Sequence, residues 1–470
     1  MNYLGYDAYE KSINKKGPVT VLMAKDSGED FLVVHGKNPG FKGEKIPGGK
    51  LKAPLNHKNA VVLRKAFPFT SPSRVLGQER SFGVGDRLGI AGPGHVQLFE
   101  KFDAYPVLAQ QSIRELNLTN RTYEDVLDAA SFAVFREGFR KAWGADGDHL
   151  KTEADVKNAL SLGFTMITLD CSEHINNTVT DENAPPLPKN YADKYLGKEF
   201  DIGENVHLSF TEAELKKIAA IYGNAISFAT NIYKKFFGKR KYNADFEVSI
   251  DETTAATTPL QHYFIAREMA DAGVVAATIA PRFCGEFQKG IDYRGDLAQF
   301  DKEIKVHAII ARHFKYKLSI HSGSDKFMVF PSIGKATKNV FHVKTAGTNW
   351  LEAMRVVAQR DPSLYREVHK YALESFNEAR KYYHVTTDPK KIPNVDKMTD
   401  KELPELFNQD DSRQLIHITY GFILSKKNSD GAFTFRDRLY KLWKDRAEDY
   451  AKALERHIGK HLTLLGVKKV

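Results

Sequence analysis

The sequence predicts an α/β protein built on a (βα)8 TIM-type barrel, with an N-terminal β-rich extension and a C-terminal helical extension. Two patterns predict the barrel. Short apolar strands alternate with longer amphipathic stretches from residue 81 to about 350, and polar residues gather where each strand ends. A third pattern, apolar residues recurring every three or four positions after Gly347, predicts the helical end.

In chain order, VTVLMAK (19–25) and DFLVVHG (30–36) predict a hairpin around Asp26, Ser27 and Gly28, within an extension over 1–80. Eight barrel strands follow within 81–350. They are SFGVGDRLGIA (81–91), YPVLAQQS (105–112), AWGADGDHL (142–150), FTMITLD (164–170), FEVSID (246–251), VVAATIAPRF (274–283), KLSIHSG (317–323) and VFHVKTAG (340–347). Helical stretches such as TYEDVLDAASFAVFREGFRK and EADVKNALSLG lie between them. The gap from Asp170 to Phe246 exceeds a simple crossover and predicts an insertion around 175–240, with a helix over 210–238. Residues 351–470 read as helices packed on the barrel, although LIHITYGFIL (415–424) suits a strand or a helix.

Composition narrows the class. The 470 residues are 42% hydrophobic and 27% charged, which argues against disorder. No apolar run approaches the roughly 20 residues of a membrane-spanning helix, and the polar N-terminus has no signal-like apolar stretch. Two cysteines, Cys171 and Cys284, exclude a disulfide framework and a four-cysteine zinc site. A cytoplasmic protein is expected, without membrane partners. The net charge of +10 is spread along the chain and suits capture of small anions, but charge alone does not choose between these and nucleic acid; the polar residues clustered at strand ends favour the small substrate. The densest basic run, YKKFFGKRKY (233–242), reads as a solvated helix end. A homo-oligomer is left open.

Barrel active sites lie at the carboxyl ends of the strands, so the polar residues there are the candidates. His149, His321 and His342 end or line strands three, seven and eight. With nearby carboxylates they suit a divalent cation such as zinc, manganese, nickel or cobalt. Asp148 and Glu252, on different strands, are the candidate general acid and base. The competing structural reading has Asp148 capping a helix over 151–162, while Asp170 and Glu173 are substitutes for the acid–base roles and His174 for a ligand. Ser112, Arg282 and Lys344 are candidates for binding the substrate, the two cations through a carboxylate or phosphate. Lys326 suits that role or a plain surface position, and HSGSD (321–325) offers backbone N–H groups. GVGDRLG (83–89) fails the spacing of a dinucleotide fingerprint.

FGVGDRLGIAGPGH, AQQSIREL, GADGDHLKT, TMITLDCSEHI, SIDET, APRFCGEFQKGIDY, SIHSGSDKF and FHVKTAGTNWLEA, in this order and spacing, resemble the tagaturonate epimerase family of hexuronate catabolism. The resemblance runs from about residue 80 through the C-terminal helices and is looser before that. It implies a divalent-metal-dependent isomerase interconverting D-tagaturonate and D-fructuronate. It also implies functional roles for Asp148, His149, Glu252, His321 and His342. Retro-aldol/aldol chemistry fits that reaction. The alternative is an epimerase, isomerase or metal-dependent aldolase acting on another ketose or sugar acid.

Overall fold

The computed structural model describes residues 1–26, 28–238 and 242–470. Ser27 of the expected hairpin turn and Lys239, Arg240 and Lys241 of the basic run lie outside the described residues. Eight parallel strands close into a barrel: β1 (Arg80–Val84), β2 (Tyr105–Ser112), β3 (Gly144–Leu150), β4 (Met166–Asp170), β5 (Asp245–Ile250), β6 (Thr278–Pro281), β7 (Lys317–Ile320) and β8 (Phe341–Thr345). Closure comes where β8 pairs with β1 from Phe341↔Arg80 to Thr345↔Val84. Each predicted strand overlaps one of these: β1 and β5 begin one residue earlier than expected, β2 matches throughout, and the remaining ends are trimmed.

Most of the intervening helices start on side-chain caps, which satisfy N–H groups that a helix leaves open at its first turn. Thr122 and Asp125 form a reciprocal capping box before Tyr123–Glu137, and Gly138 ends that helix in a left-handed conformation. Thr152, rather than Asp148, caps Glu153–Leu162. The insertion between β4 and β5 holds a small antiparallel pair, Glu199–Asp201 with His207–Ser209, and the long helix Glu212–Phe236.

The N-terminal extension is an antiparallel sheet in which Val19–Asp26 pairs with Glu29–Gly36. The apolar stretch AVVLRKAFPF (60–69) contributes to a helix, His57–Ala66. This layer buries Val21, Leu32 and Leu63 against Phe132 and Phe135 of the Tyr123–Glu137 helix, so it packs on the outside of the barrel. The following segment covers the barrel's amino-terminal mouth. Val75 and Leu76 pack with Val107 and Met166, and Asp245 accepts from Arg74 Nε (2.7 Å) and the Leu76 amide (3.0 Å).

After β8 the chain is helical, and 415–424 resolves into parts of two helices, Asp410–Ile418 and Tyr420–Ser425. Trp350 and Trp443 pack edge to face at 5.9 Å, and their indole N–H groups donate to Ile416 O and Ala353 O. The final helix, Ala447–Leu464, is tied to the loop after β7 through Asp325. That buried carboxylate meets His457 Nε2 at 2.5 Å and Arg413 at 2.8 Å, and the Asp325 amide donates to His461 Nε2 at 2.9 Å. No described helix is long and apolar enough to cross a membrane.

Burial opposes ionisation of Asp325, but Arg413 and His457 hold its carboxyl well below the usual range. Replacing it leaves a buried guanidinium without its counter-charge. Asp325→Ala should therefore cost about 3–5 kcal/mol, visible as a lower midpoint in scanning calorimetry; an unchanged midpoint would contradict this role.

Candidate active site

Side chains alternate across a strand, and one parity of the central strands points into the barrel. That face carries Asp146 and Asp148 on β3, Thr168 and Asp170 on β4, Glu247 and Ser249 on β5, and His342 and Lys344 on β8; all are buried. Barrel interiors are ordinarily filled by branched aliphatic residues. Here the upper interior is ionic, and it opens into a cavity of about 260 Å³ lined by residues of β3, the loops after β2, β5, β6 and β7, and the C-terminal segment.

Lys344 organises the floor. Its Nζ lies 2.7 Å from Asp146 and 3.4 Å from Glu247, contacts Asp148 more closely still, and donates to Thr168 Oγ1 at 2.6 Å. Burial pushes the Asp146 carboxyl up to about 6 despite Lys344. Burial acts on Asp148 too, yet Lys344 and His149 hold it below the usual carboxylate range. Lys344 borders the cavity as expected, but its charge is already met by three carboxylates, so it neutralises the protein's own acids instead of a substrate anion.

The imidazole–carboxylate cluster stands above this floor. His149 and His321 approach edge to face with ring centroids 5.0 Å apart. His149 has a left-handed backbone (φ 52°) where β3 slips register against β4. The ligand atoms of His149, Asp251 and His321 lie within 4.8 Å of one another, as do those of His149, Asp170 and Glu252. His321 Nε2 is 2.7 Å from Glu247, which leaves Nδ1 facing Asp251 at 3.2 Å. A carboxylate on the far nitrogen is the usual way to orient a metal-binding histidine. His149 Nδ1 and Asp170 Oδ2, 3.5 Å apart, are buried without a hydrogen-bond partner. Two imidazoles, adjacent carboxylates and unsatisfied buried donor atoms fit a divalent cation. Against burial, Asp148 and Asp170 push the His149 imidazole up to about 10.

His342 does not join this cluster. It sits lower in the barrel, fully buried, with Nδ1 2.9 Å from Ser81 Oγ, and burial pushes its imidazole down to about 3. It belongs to none of the ligand groups among the described residues. The physical reason is register: His342 lies level with Ser319, two residues before His321 on the neighbouring strand. His174 is likewise elsewhere, stacked on Phe228 at 4.0 Å.

The remaining candidates are distributed as follows. Asp148 and Glu252 both border the cavity, Asp148 buried and Glu252 exposed to it. Ser112 borders it while capping Ile113–Thr119 through the Glu115 amide (3.3 Å). Arg282 borders it, with one guanidinium nitrogen on Thr253 O and another 3.8 Å from Glu286. Lys326 is neither at the surface nor free: it is fully buried and donates to the carbonyls of Gln288, Ile291 and Ser324. Sequence reasoning missed Asp146 and Thr168, two residues before Asp148 and Asp170, and Glu247, four residues before the end of the fifth predicted strand at Asp251; the period of two would have found all three. It also missed Arg114, Lys289 and His417, which lie in loops and helices that carry no such signal.

Comparison with known proteins decides the family. The family model for tagaturonate epimerase matches residues 9–465. The chain belongs to the tagaturonate epimerase family. It is an isomerase of the epimerase class. The tagaturonate/fructuronate epimerase of Thermotoga maritima is 42% identical over 477 residues, covering 98% of this chain and 97% of that protein. Crystal structures of the fructuronate–tagaturonate epimerase UxaE from Cohnella laeviribosi superpose over nearly the whole length. The native one has a TM-score of 0.96 at 49% identity, covering 98% of this chain and 97% of that chain. A glycerol-complexed one has 0.95 at 48%, covering 99% and 97%.

In this family member the Lys344 cage is open to test. Lys344→Met leaves Asp146, Asp148 and Glu247 buried without their cation, at a cost of about 3–5 kcal/mol. Uncompensated carboxylates fold more readily once protonated. The stability gap to the unsubstituted protein should therefore be widest near pH 8 and narrow toward pH 5.5 in thermal unfolding. A gap independent of pH would contradict the cage.

Proposed function

We propose that this protein interconverts D-tagaturonate and D-fructuronate with a divalent cation, by retro-aldol cleavage and re-addition. Near full-length similarity to tagaturonate/fructuronate epimerases carries the substrate, and the small polar cavity with its imidazole–carboxylate cluster supports the chemistry. His149, Asp251 and His321 would hold the cation, with Glu247 orienting His321. Zinc, manganese, nickel and cobalt all take this donor set. A bound cation would stabilise the negative charge that develops on the ketone oxygen.

The inverted carbon is β to the ketone, so its C–H is not acidified and direct deprotonation is slow. Retro-aldol cleavage avoids that step. A carboxylate takes the proton of the β-hydroxyl group, the Cα–Cβ bond breaks, its electron pair passes into an enediolate, and the β-carbon becomes an aldehyde. The aldehyde turns and re-adds on its other face, and the new alkoxide takes back a proton. Asp148, held ionised beside Lys344, suits the accepting role, and Glu252 borders the same cavity from the loop after β5, where a second face of the substrate would lie. Ser112 and Arg282 would position the sugar hydroxyls and chain.

Two outcomes test this. Chelator-stripped protein should lose epimerisation of D-tagaturonate and regain it with one of these metals, and the product formed in deuterium oxide should carry no deuterium at the inverted carbon. Deuterium there would remove the retro-aldol route. Because the metal-free His149 is protonated at neutral pH and a ligand must be neutral, metal uptake at pH 7 should release protons and tighten as pH rises. Calorimetry in buffers of different ionisation enthalpy measures this, and uptake without proton release would exclude His149 as a ligand.

A further inference from the structure

Most cations around the cavity are already neutralised. Lys344 serves Asp146, Asp148 and Glu247; Arg87 pairs with Glu115 at 2.6 Å; Lys151 lies 3.7 Å from Asp170. Arg114 and Lys289 differ. Both line the cavity, and neither forms an ion pair within 4.0 Å among the described residues. The Arg114 guanidinium lies over the Tyr383 ring at 4.9 Å, and Lys289 Nζ donates to Ser322 Oγ at 3.0 Å, beside His321.

A third group faces the same end. His417, from the helix Asp410–Ile418, is buried, borders the cavity, and has no hydrogen-bond partner among the described residues on either ring nitrogen. It is wedged against backbone: a Cβ on Gly347 would fall 1.7 Å from its Cε1, and one on Gly290 2.9 Å from its Nδ1. A buried polar group left unpaired is costly, so these nitrogens call for a polar ligand. Lys289 is also held in place, because the buried Lys326 ammonium bonds the carbonyls of Gln288 and Ile291 on either side of it to that of Ser324.

We propose that Arg114, Lys289 and His417 form the subsite for the substrate's carboxylate, at the end of the cavity that the C-terminal helices complete. This deepens the reading of the protein as a uronate epimerase and rests on it. Two unpaired cations give a carboxylate charge-assisted hydrogen bonds, and the neutral imidazole adds one N–H donor and one acceptor for an adjacent hydroxyl. Arg282 and Lys344 are then not the primary anion-binding groups, since each already has protein partners. The subsite would let a barrel with an ionic floor take a sugar acid: the anion meets the end of the cavity where two cations have no ion-pair partner among the described residues.

The test uses the metal-loaded full-length protein and the variants Arg114→Ala, Lys289→Met and Lys289→Arg. Epimerisation kinetics are measured with D-tagaturonate. Binding is measured by calorimetry with the hexonate made by borohydride reduction of tagaturonate, and with the corresponding neutral hexitol. Arg114→Ala and Lys289→Met should each raise KM and weaken hexonate binding by about 10- to 100-fold, with kcat changing less than KM. Hexitol binding should fall far less than hexonate binding, and Lys289→Arg should recover part of the loss. Equal losses for hexonate and hexitol, or a fall in kcat at constant KM, would overturn the proposal. If the unsubstituted protein binds the hexonate through these cations yet does not epimerise tagaturonate, the functional reading fails while the subsite stands.

Discussion

The ammonium of Lys344 is the constraint on which the rest of the site depends. Three carboxylates and a threonine hydroxyl converge on one buried cation inside the barrel. Without it, Asp146, Asp148 and Glu247 could not stay ionised together at this spacing in a medium of low polarity. With it, Glu247 remains an anion able to hold His321, and Asp148 remains an ionised carboxylate at the cavity. The charge on β8 thus sets the protonation of groups on β3 and β5, and through them the orientation of the imidazoles above.

That arrangement divides the cavity in two. One end is rich in carboxylates and imidazoles, drawn from β3, the end of β5 and β7, and suits a cation. The other carries Arg114, from the helix after β2, and Lys289, from the loop after β6, neither ion-paired among the described residues, with His417 from the C-terminal helices, and suits an anion. A sugar acid carries both features a bipolar cavity selects: oxygens that a metal can hold and a carboxylate. The C-terminal segment is therefore part of the site, because His417 and Tyr383 reach the cavity from it, and Asp325 ties its last helix to the loop that follows His321.

The strand-end reasoning succeeded where chemistry and period coincide. Asp148, His149, Glu252 and His321 were legible because each is polar and closes an apolar run, and the structure gathers all four at one cavity. His342 shows the limit of that reasoning. It is polar and on a barrel strand, but strands are staggered, so a residue second in β8 lies level with Ser319, below the histidine that follows β7. Lys344, two residues on, was legible as a site residue, but its partners were not.

The sequence by itself determined the barrel, its eight strands, the insertion before β5 and the helical end, because alternation of two and of three to four is local and needs no partner. It also carried the family through the order of its strand-end motifs. Only the tertiary structure decided which charges meet. An ion pair between Lys344 and Asp146, or its absence at Arg114 and Lys289 among the described residues, depends on strand stagger and on segments from distant parts of the chain. Neither leaves a periodic trace in the sequence.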